Sequence, residues 1–372
     1  MKILHINSYY STSLFYKNLF EYQIKNGIDI DVFVPVHSSF QKRDFDYGVY
    51  TTISKDYNKY DRILFHLKHY KIQKDIQCKY DISKYSLIHA HSLFSNGYIA
   101  LKLKKKYGVS YIVAVRNTDV NIFFNRMIHL RKLGLEILSE AKQIIFLSET
   151  YKNHVIDKYV SNDTKEKIQS KISIIPNGID DFWFNKIGVP KKEIESSRIR
   201  LLQVGDINKN KNVETTVKAI ELLREKGINV ELNVVGRVKD KKILNRIKDL
   251  DYVNYLGFKT KNELLQIYRE NDIFVLPSIK ETFGLVYAEA MSQGLPVIYT
   301  RGQGFDGQFQ NRKVGYSVDC YSEKEIADRI IEVITNYELL SNNSIMQCIE
   351  FSWEIVAEKY RNIIEKNHGE EY

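Results

Sequence analysis

Short apolar runs alternate with amphipathic stretches along nearly the whole chain, and that alternation narrows the fold more than any other feature. Apolar segments of four to seven residues separated by helix-length polar–apolar patterns build parallel sheets with helices on both faces. Strands are expected at 2–6, 29–34, 87–91, 111–115, 143–147 and 172–175, with helices such as 97–106 between them, and then again at 199–204, 229–235, 252–256, 273–276, 296–299 and 315–317. The pattern therefore runs twice. A chain of 372 residues exceeds what one hydrophobic core usually supports, so two doubly wound α/β domains are expected. The polar stretch 177–198, with Gly178, Gly188 and Pro190, reads as a linker between a first domain at 1–176 and a second at 199–352. The tail places Trp353, Ile355, Val356, Tyr360, Ile363 and Ile364 at helical spacing, giving a last amphipathic helix.

Composition excludes several classes. A hydrophobic content of 44% suits a packed globular protein, and no run of about 18 apolar residues suggests a membrane span. The start, "MKILHINSYY", is already strand-like and shows no cleavable export signal. Cys78, Cys320 and Cys348 are scattered and odd in number, which fits neither a disulfide framework nor a zinc site. A cytoplasmic protein is expected. The formal charge of +9 suits an anionic partner, whether nucleotide diphosphate, phospholipid surface or nucleic acid, or reflects only a lysine-rich surface.

The stretch "KETFGLVYAEAMSQG", residues 280–294, carries the most chemistry. The run 273–276 is a buried strand closed by Pro277, and a helix is expected from Gly284 to Gln293, stopped by Gly294. Unpartnered backbone N–H groups and the summed peptide dipoles make the start of that helix a phosphate site. Gly284 would let a ligand approach the backbone. Glu281, in the preceding turn, could accept from sugar hydroxyls, and Glu289 could grip the two hydroxyls of a ribose. Alternatively, Glu281 merely complements the dipole and Glu289 is an ordinary helix-surface residue.

"FVLPSIKETFGLVYAEAMSQGLPVI" resembles the signature of the GT4 family of retaining glycosyltransferases, which have the GT-B fold. "VNYLGFKTKNELLQIYRENDIFVLPS", "IIPNGID" at 174–180 and "LLQVGDINKNKN" at 201–212 are similar to further family segments in the family's order. The resemblance implies two Rossmann-like domains facing a cleft, with the last helix, 353–372, returning to the first domain. It implies that Glu281 contacts the donor sugar and that Thr282, Phe283, Gly284 and Leu285 line sugar and pyrophosphate. Glu289 would hold the ribose, Phe258 would lie on the donor side, and Lys211 would neutralise the departing diphosphate. Stabilising charge where it develops is the chemistry that step needs.

The chain also departs from the family. Asp206 stands where an arginine usually meets the pyrophosphate, so Lys209 or Arg237 would supply the second positive charge. In "YIVAVRNTDV", Arg116-Asn117 replaces the usual His-Gly. Arg116, Asn117 and Asp119 would then sit at a strand's carboxyl end, Asp119 as a candidate catalytic carboxylate, or Arg116 pairs with Asp119 to shape the turn. Ser11, Thr12 and Ser13 replace the usual glycine-rich loop and either contact phosphate or acceptor or cap the next helix. His91 is placed on the acceptor side, and "HAHS" gives His89 and His91 without a third metal ligand nearby. "GQGFDG", 302–307, satisfies a dinucleotide pattern but starts no βαβ unit, and its glycines fit a loop near the donor. In "NIFFNRMIHLRKLG", Phe123, Phe124, Met127 and Leu130 interleave with Arg126, Arg131 and Lys132, as in an element resting on an anionic membrane or in an ordinary amphipathic helix.

The expected activity is transfer of a sugar from a UDP- or GDP-type donor to a carbohydrate or lipid-linked acceptor with retention, in surface polysaccharide or glycoconjugate synthesis. No metal, no further cofactor and no nucleic-acid partner are expected. A nucleotide-sugar 2-epimerase on the same fold and a catalytically degraded glycosyltransferase subunit are the alternatives.

Overall fold

The structure is a computed structural model that describes residues 1–13, 15–194 and 197–366. The chain forms two compact units: residues 1–147, 152–175 and the C-terminal segment from Trp353 make the first, and residues 148–151 and 176–352 make the second. The stretch 177–198, expected as a linker, belongs to the second unit, where helix Asp181–Asn185 buries Trp183 against Tyr268.

The first unit is built on β1 (Lys2–Ile6), β2 (Asp29–His37), β3 (Thr51–Tyr57), β4 (Leu87–Ala90), β5 (Tyr111–Ala114), β6 (Gln143–Phe146) and β7 (Ile172–Ile174). All are parallel, in the order β3-β2-β1-β4-β5-β6-β7. The interior strands β4 and β5 are buried on both faces, as parallel strands under helices must be. Six of the strands follow the sequence pattern. β3 does not, because "TTISKDY" is polar and its edge position leaves most of it partly exposed. The C-terminal helix Trp353–Lys366 packs on helix Phe15–Lys25, with the Phe15 and Trp353 rings 4.9 Å apart, so it completes this unit's core as the family resemblance implied.

The second unit holds β8 (Ile199–Val204), β9 (Val230–Val235), β10 (Val253–Gly257), β11 (Ile273–Leu276), β12 (Val297–Thr300) and β13 (Gly315–Val318), again all parallel, in the order β10-β9-β8-β11-β12-β13. The order reverses direction between β8 and β11. Chain crossovers leave to opposite sides there, and the carboxyl ends of strands at such a topological switch are where open α/β sheets bind ligands. Burial of Leu201, Leu232, Val275, Ile298 and Ile330 anchors the strands beneath it, each such side chain contributing about 1.5–3 kcal/mol.

Candidate functional site

The loop after β8, "DINKNKN", is shaped by its alternation of asparagine and lysine. The Asn208 side chain accepts from the Lys211 backbone N–H at 3.0 Å and caps the short turn Lys209–Lys211. Asn210 clamps this loop to the loop after β11: its side chain donates to the Lys280 carbonyl at 2.9 Å and accepts from the Lys280 N–H at 3.0 Å. Asn212 donates to the carbonyls of Pro277, at 3.1 Å, and Cys320, at 2.6 Å. With the asparagines spent on scaffolding, Lys211 extends to Glu281 and its Nζ lies 2.6 Å from Oε2. The pair joins the two strands flanking the topological switch. Ser278 Oγ donates to the same carboxylate at 3.3 Å.

Helix Leu285–Ser292 begins immediately beyond, and Gly284 is its N-terminal cap residue at φ +76°. A side chain there would be strained by the backbone and would meet the Tyr287 ring at 2.5 Å, so glycine is required for conformation and for space. Phe283 is buried, with its ring packed against those of Phe351 and Phe305.

Sequence reasoning missed what holds Glu281. In the loop after β12, Gln303 Oε1 accepts the Glu281 N–H at 2.9 Å, and the Gly304 N–H donates to the Glu281 carbonyl at 2.9 Å. A Cβ on Gly304 would fall 1.6 Å from the Thr282 carbonyl oxygen. The "GQGFDG" glycines thus belong to the back of this turn, near the predicted donor residues. Only their distance along the chain concealed it.

Glu289 lies one turn into the helix beside another group of side chains. The Tyr268 hydroxyl donates to its Oε2 at 3.3 Å. Burial pushes the carboxyl up to about 7, against the opposing effects of Tyr268, Lys261 and Trp183. Arg237 and Phe258, at the ends of β9 and β10, stack on each other, with the guanidinium 4.4 Å from the ring centroid. Phe258 is 61% exposed. Lys209 is exposed and Asp206 half-buried in the same loop system.

In the first unit several expected ligand contacts prove to be internal. Asp119 is buried and accepts the N–H groups of Arg116 at 2.8 Å and of Leu93 and Phe94 at 3.0 Å each. Burial raises its carboxyl to about 6 against those three donors. It clasps two loops together, which replaces its candidate role as a catalytic carboxylate. Arg116 is buried as well. Its guanidinium lies 5.9 Å from the Tyr16 ring centroid and hydrogen-bonds Tyr360 of the C-terminal helix, and its link to Asp119 runs through the backbone. Asn117 accepts from the Asn121 side chain. Ser11 donates to the Ser8 carbonyl at 2.8 Å, Thr12 to the Tyr9 carbonyl at 3.4 Å, and Ser13 accepts the Phe15 N–H at 3.3 Å, so this serine-rich turn carries internal capping bonds.

His91 is fully buried and has company the sequence did not reveal. The β1–β4 register sets His5 opposite His89, and the ring nitrogens of His5, His89 and His91 lie within 4.8 Å of one another. A third histidine therefore exists, correcting the expectation of a bare pair. The His89 and His91 rings stack at 3.9 Å and 24°, and His5 Nδ1 is 3.0 Å from His91 Nε2. Burial holds all three well below the usual imidazole range.

In the segment proposed to meet a membrane, Phe124 and Leu130 face the core, Phe123 stacks on Phe94 at 4.6 Å, and Arg131 donates to the Phe124 carbonyl at 2.7 Å. Only part of 121–134 looks outward. Among the described residues, no helix is long and apolar enough to cross a membrane.

Two all-parallel α/β units are the fold expected of GT-B glycosyltransferases. The Glycosyl transferases group 1 family matches residues 186–345 and Glycosyltransferase Family 4 matches residues 13–181. The chain belongs to the GT4-like group 1 glycosyltransferases. An uncharacterized glycosyltransferase of Methanocaldococcus jannaschii is 26% identical over 377 residues, 98% of each chain. The alpha-monoglucosyldiacylglycerol synthase of Acholeplasma laidlawii is 23% identical, over 82% of this chain and 81% of that one. In fold, the chain is similar to the sucrose-phosphate synthase of Thermosynechococcus elongatus, with a TM-score of 0.77 and 18% identity over 99% of both chains.

Proposed function

We propose that this enzyme transfers a hexose from a nucleotide diphosphate donor, UDP- or GDP-linked, to a carbohydrate or lipid-linked acceptor on the cytoplasmic side of a membrane, with retention and without a metal. The observation that carries this reading is the Lys211–Glu281 pair at 2.6 Å beside the Gly284 helix start. A diphosphate seated on the helix N-terminus would draw Lys211 Nζ towards its departing oxygen, where negative charge accumulates. Glu281, relieved of part of that pairing, would accept from hydroxyls of the sugar. Glu289 would bind the ribose and the Arg237–Phe258 stack would flank the nucleoside. As the bond from the anomeric carbon to the phosphate oxygen breaks, the acceptor oxygen bonds to the same carbon and its proton passes to the leaving phosphate. Lipid as one acceptor class is in keeping with the name of the Acholeplasma relative.

Incubation with a panel of nucleotide sugars and acceptors, with the product anomer read by NMR, tests this. Transfer with retention that persists in EDTA is expected. Epimerised donor formed without acceptor, or inversion, would overturn it.

A further inference from the structure

A cluster of exposed apolar side chains lies in the first unit. Tyr60, Ile63 and Leu64, in and just after the turn Lys59–Arg62, are 84%, 83% and 58% exposed. Leu67 and Tyr70, on helix Phe65–Lys79, are 43% and 63% exposed. The same helix buries His69, Ile72 and Ile76. It is therefore apolar on both sides, one side supplying core and the other bare. Phe65 joins this face to the turn Asp119–Phe124, its ring 6.0 Å from that of Phe123, and there Ile122 is exposed as well.

The charges around the face have one sign. Lys59 and Lys74 are exposed beside it, and Arg126 and Lys132 follow Ile122 along the chain. The carboxylates of the segment are already paired, Asp61 with Lys71 at 2.7 Å and Asp75 with Lys79. Isolated exposed apolar residues are ordinary, but five within eleven positions, two of them tyrosines and flanked by unpaired lysines, form the amphipathic surface that partitions into an anionic headgroup layer. Tyrosine favours that layer, which accepts both its ring and its hydroxyl.

We propose that the face formed by Tyr60, Ile63, Leu64, Leu67 and Tyr70 is a docking surface for an anionic phospholipid bilayer. The apolar side chains enter the headgroup region while Lys59 and Lys74 meet lipid phosphates. This moves the membrane contact from 121–134, whose larger apolar residues are mostly turned inward, to the segment before it. It draws its purpose from the lipid-acceptor part of the proposed function, but it concerns binding rather than turnover.

Co-sedimentation of the full chain with vesicles tests it. Binding to phosphatidylglycerol–phosphatidylcholine vesicles is expected, weakening with salt and nearly absent on phosphatidylcholine alone. The variant Ile63→Glu/Leu67→Glu should lower vesicle partitioning by at least about tenfold. The variant Lys59→Gln/Lys74→Gln should lose several-fold, about that expected for two phosphate-facing lysines. Both should keep the parent's melting midpoint and nucleotide affinity, since every substituted side chain is exposed. Parent-level vesicle binding by Ile63→Glu/Leu67→Glu would overturn the proposal. So would a parent that ignores vesicles but dimerises in sedimentation velocity through this face. Donor binding and transfer to a soluble acceptor are measured separately, so failure of either proposal leaves the other standing.

Discussion

The pairing of Lys211 with Glu281 makes a prediction that a simple list of binding residues would not. The two side chains are 22% and 14% exposed and 2.6 Å apart, a partly buried, charge-assisted contact. If the diphosphate takes Lys211 as its counter-ion, Lys211→Ala removes a hydrogen bond to a charged group, worth about 1.5–3 kcal/mol. It also leaves the Glu281 carboxylate unpaired beside an anion. At about 4 Å and an effective dielectric of about 20, two like charges repel by up to about 4 kcal/mol, and screening reduces this to a fraction. Isothermal titration with UDP and GDP should therefore show Lys211→Ala weakening the better ligand by roughly 100-fold. The double variant Lys211→Ala/Glu281→Gln should regain about tenfold of that, because the repulsion goes with the charge. A double variant that binds no tighter than Lys211→Ala, or more weakly, would refute the reasoning and separate Glu281 from the phosphates. Nucleoside diphosphate is the proper probe, since the sugar's own contact with Glu281 would mask the recovery.

Gly304→Ala should lower the melting midpoint and, in the protein that remains folded, lower kcat/KM by more than tenfold, because a methyl 1.6 Å from the Thr282 carbonyl must displace the backbone of the turn that carries Glu281; wild-type kinetics would show that Gly304 does not position it. Glu289, ordinarily near 4.5 and raised to about 7 in the fold, contributes stability below pH 4.5 that is lost as pH rises towards 7. Urea unfolding should accordingly show Glu289→Gln gaining on wild type across that interval by up to about 3 kcal/mol, and parallel pH profiles would contradict this. Asp119→Ala leaves three N–H groups without their acceptor and should cost about 3 kcal/mol or more in unfolding free energy. Well below its lowered midpoint it should still bind nucleotide, and lost binding in a folded variant would return Asp119 to the active site.

What the sequence revealed and what it concealed divide along a physical line. Strands buried on both faces announce themselves as unbroken apolar runs, so twelve of the thirteen strands in the two sheets were readable from residues such as Ile273-Phe274-Val275-Leu276, while the polar edge strand Thr51–Tyr57 was not. The turn and helix around Glu281 and Gly284 were readable because their signals are local: proline after the strand, glycine before the helix, glycine after it. Relations between strands carry no local signal. His5 joins His89 only through the β1–β4 register, and Gln303 reaches Glu281 only because β12 lies beside β11. Direction is the other hidden quantity. Phe124 and Leu130 looked fit for a membrane and prove to be core, because periodicity fixes which residues share a helix face without saying which face meets the core. Helix Phe65–Lys79 has one strip of Ile72 and Ile76 and another of Leu67 and Tyr70, and only the fold decides that the first is spent on the protein. An apolar strip that the core has not used, ringed by lysines whose nearby carboxylates are otherwise paired, is thus a stronger indicator of an outside partner than any strip judged from sequence alone.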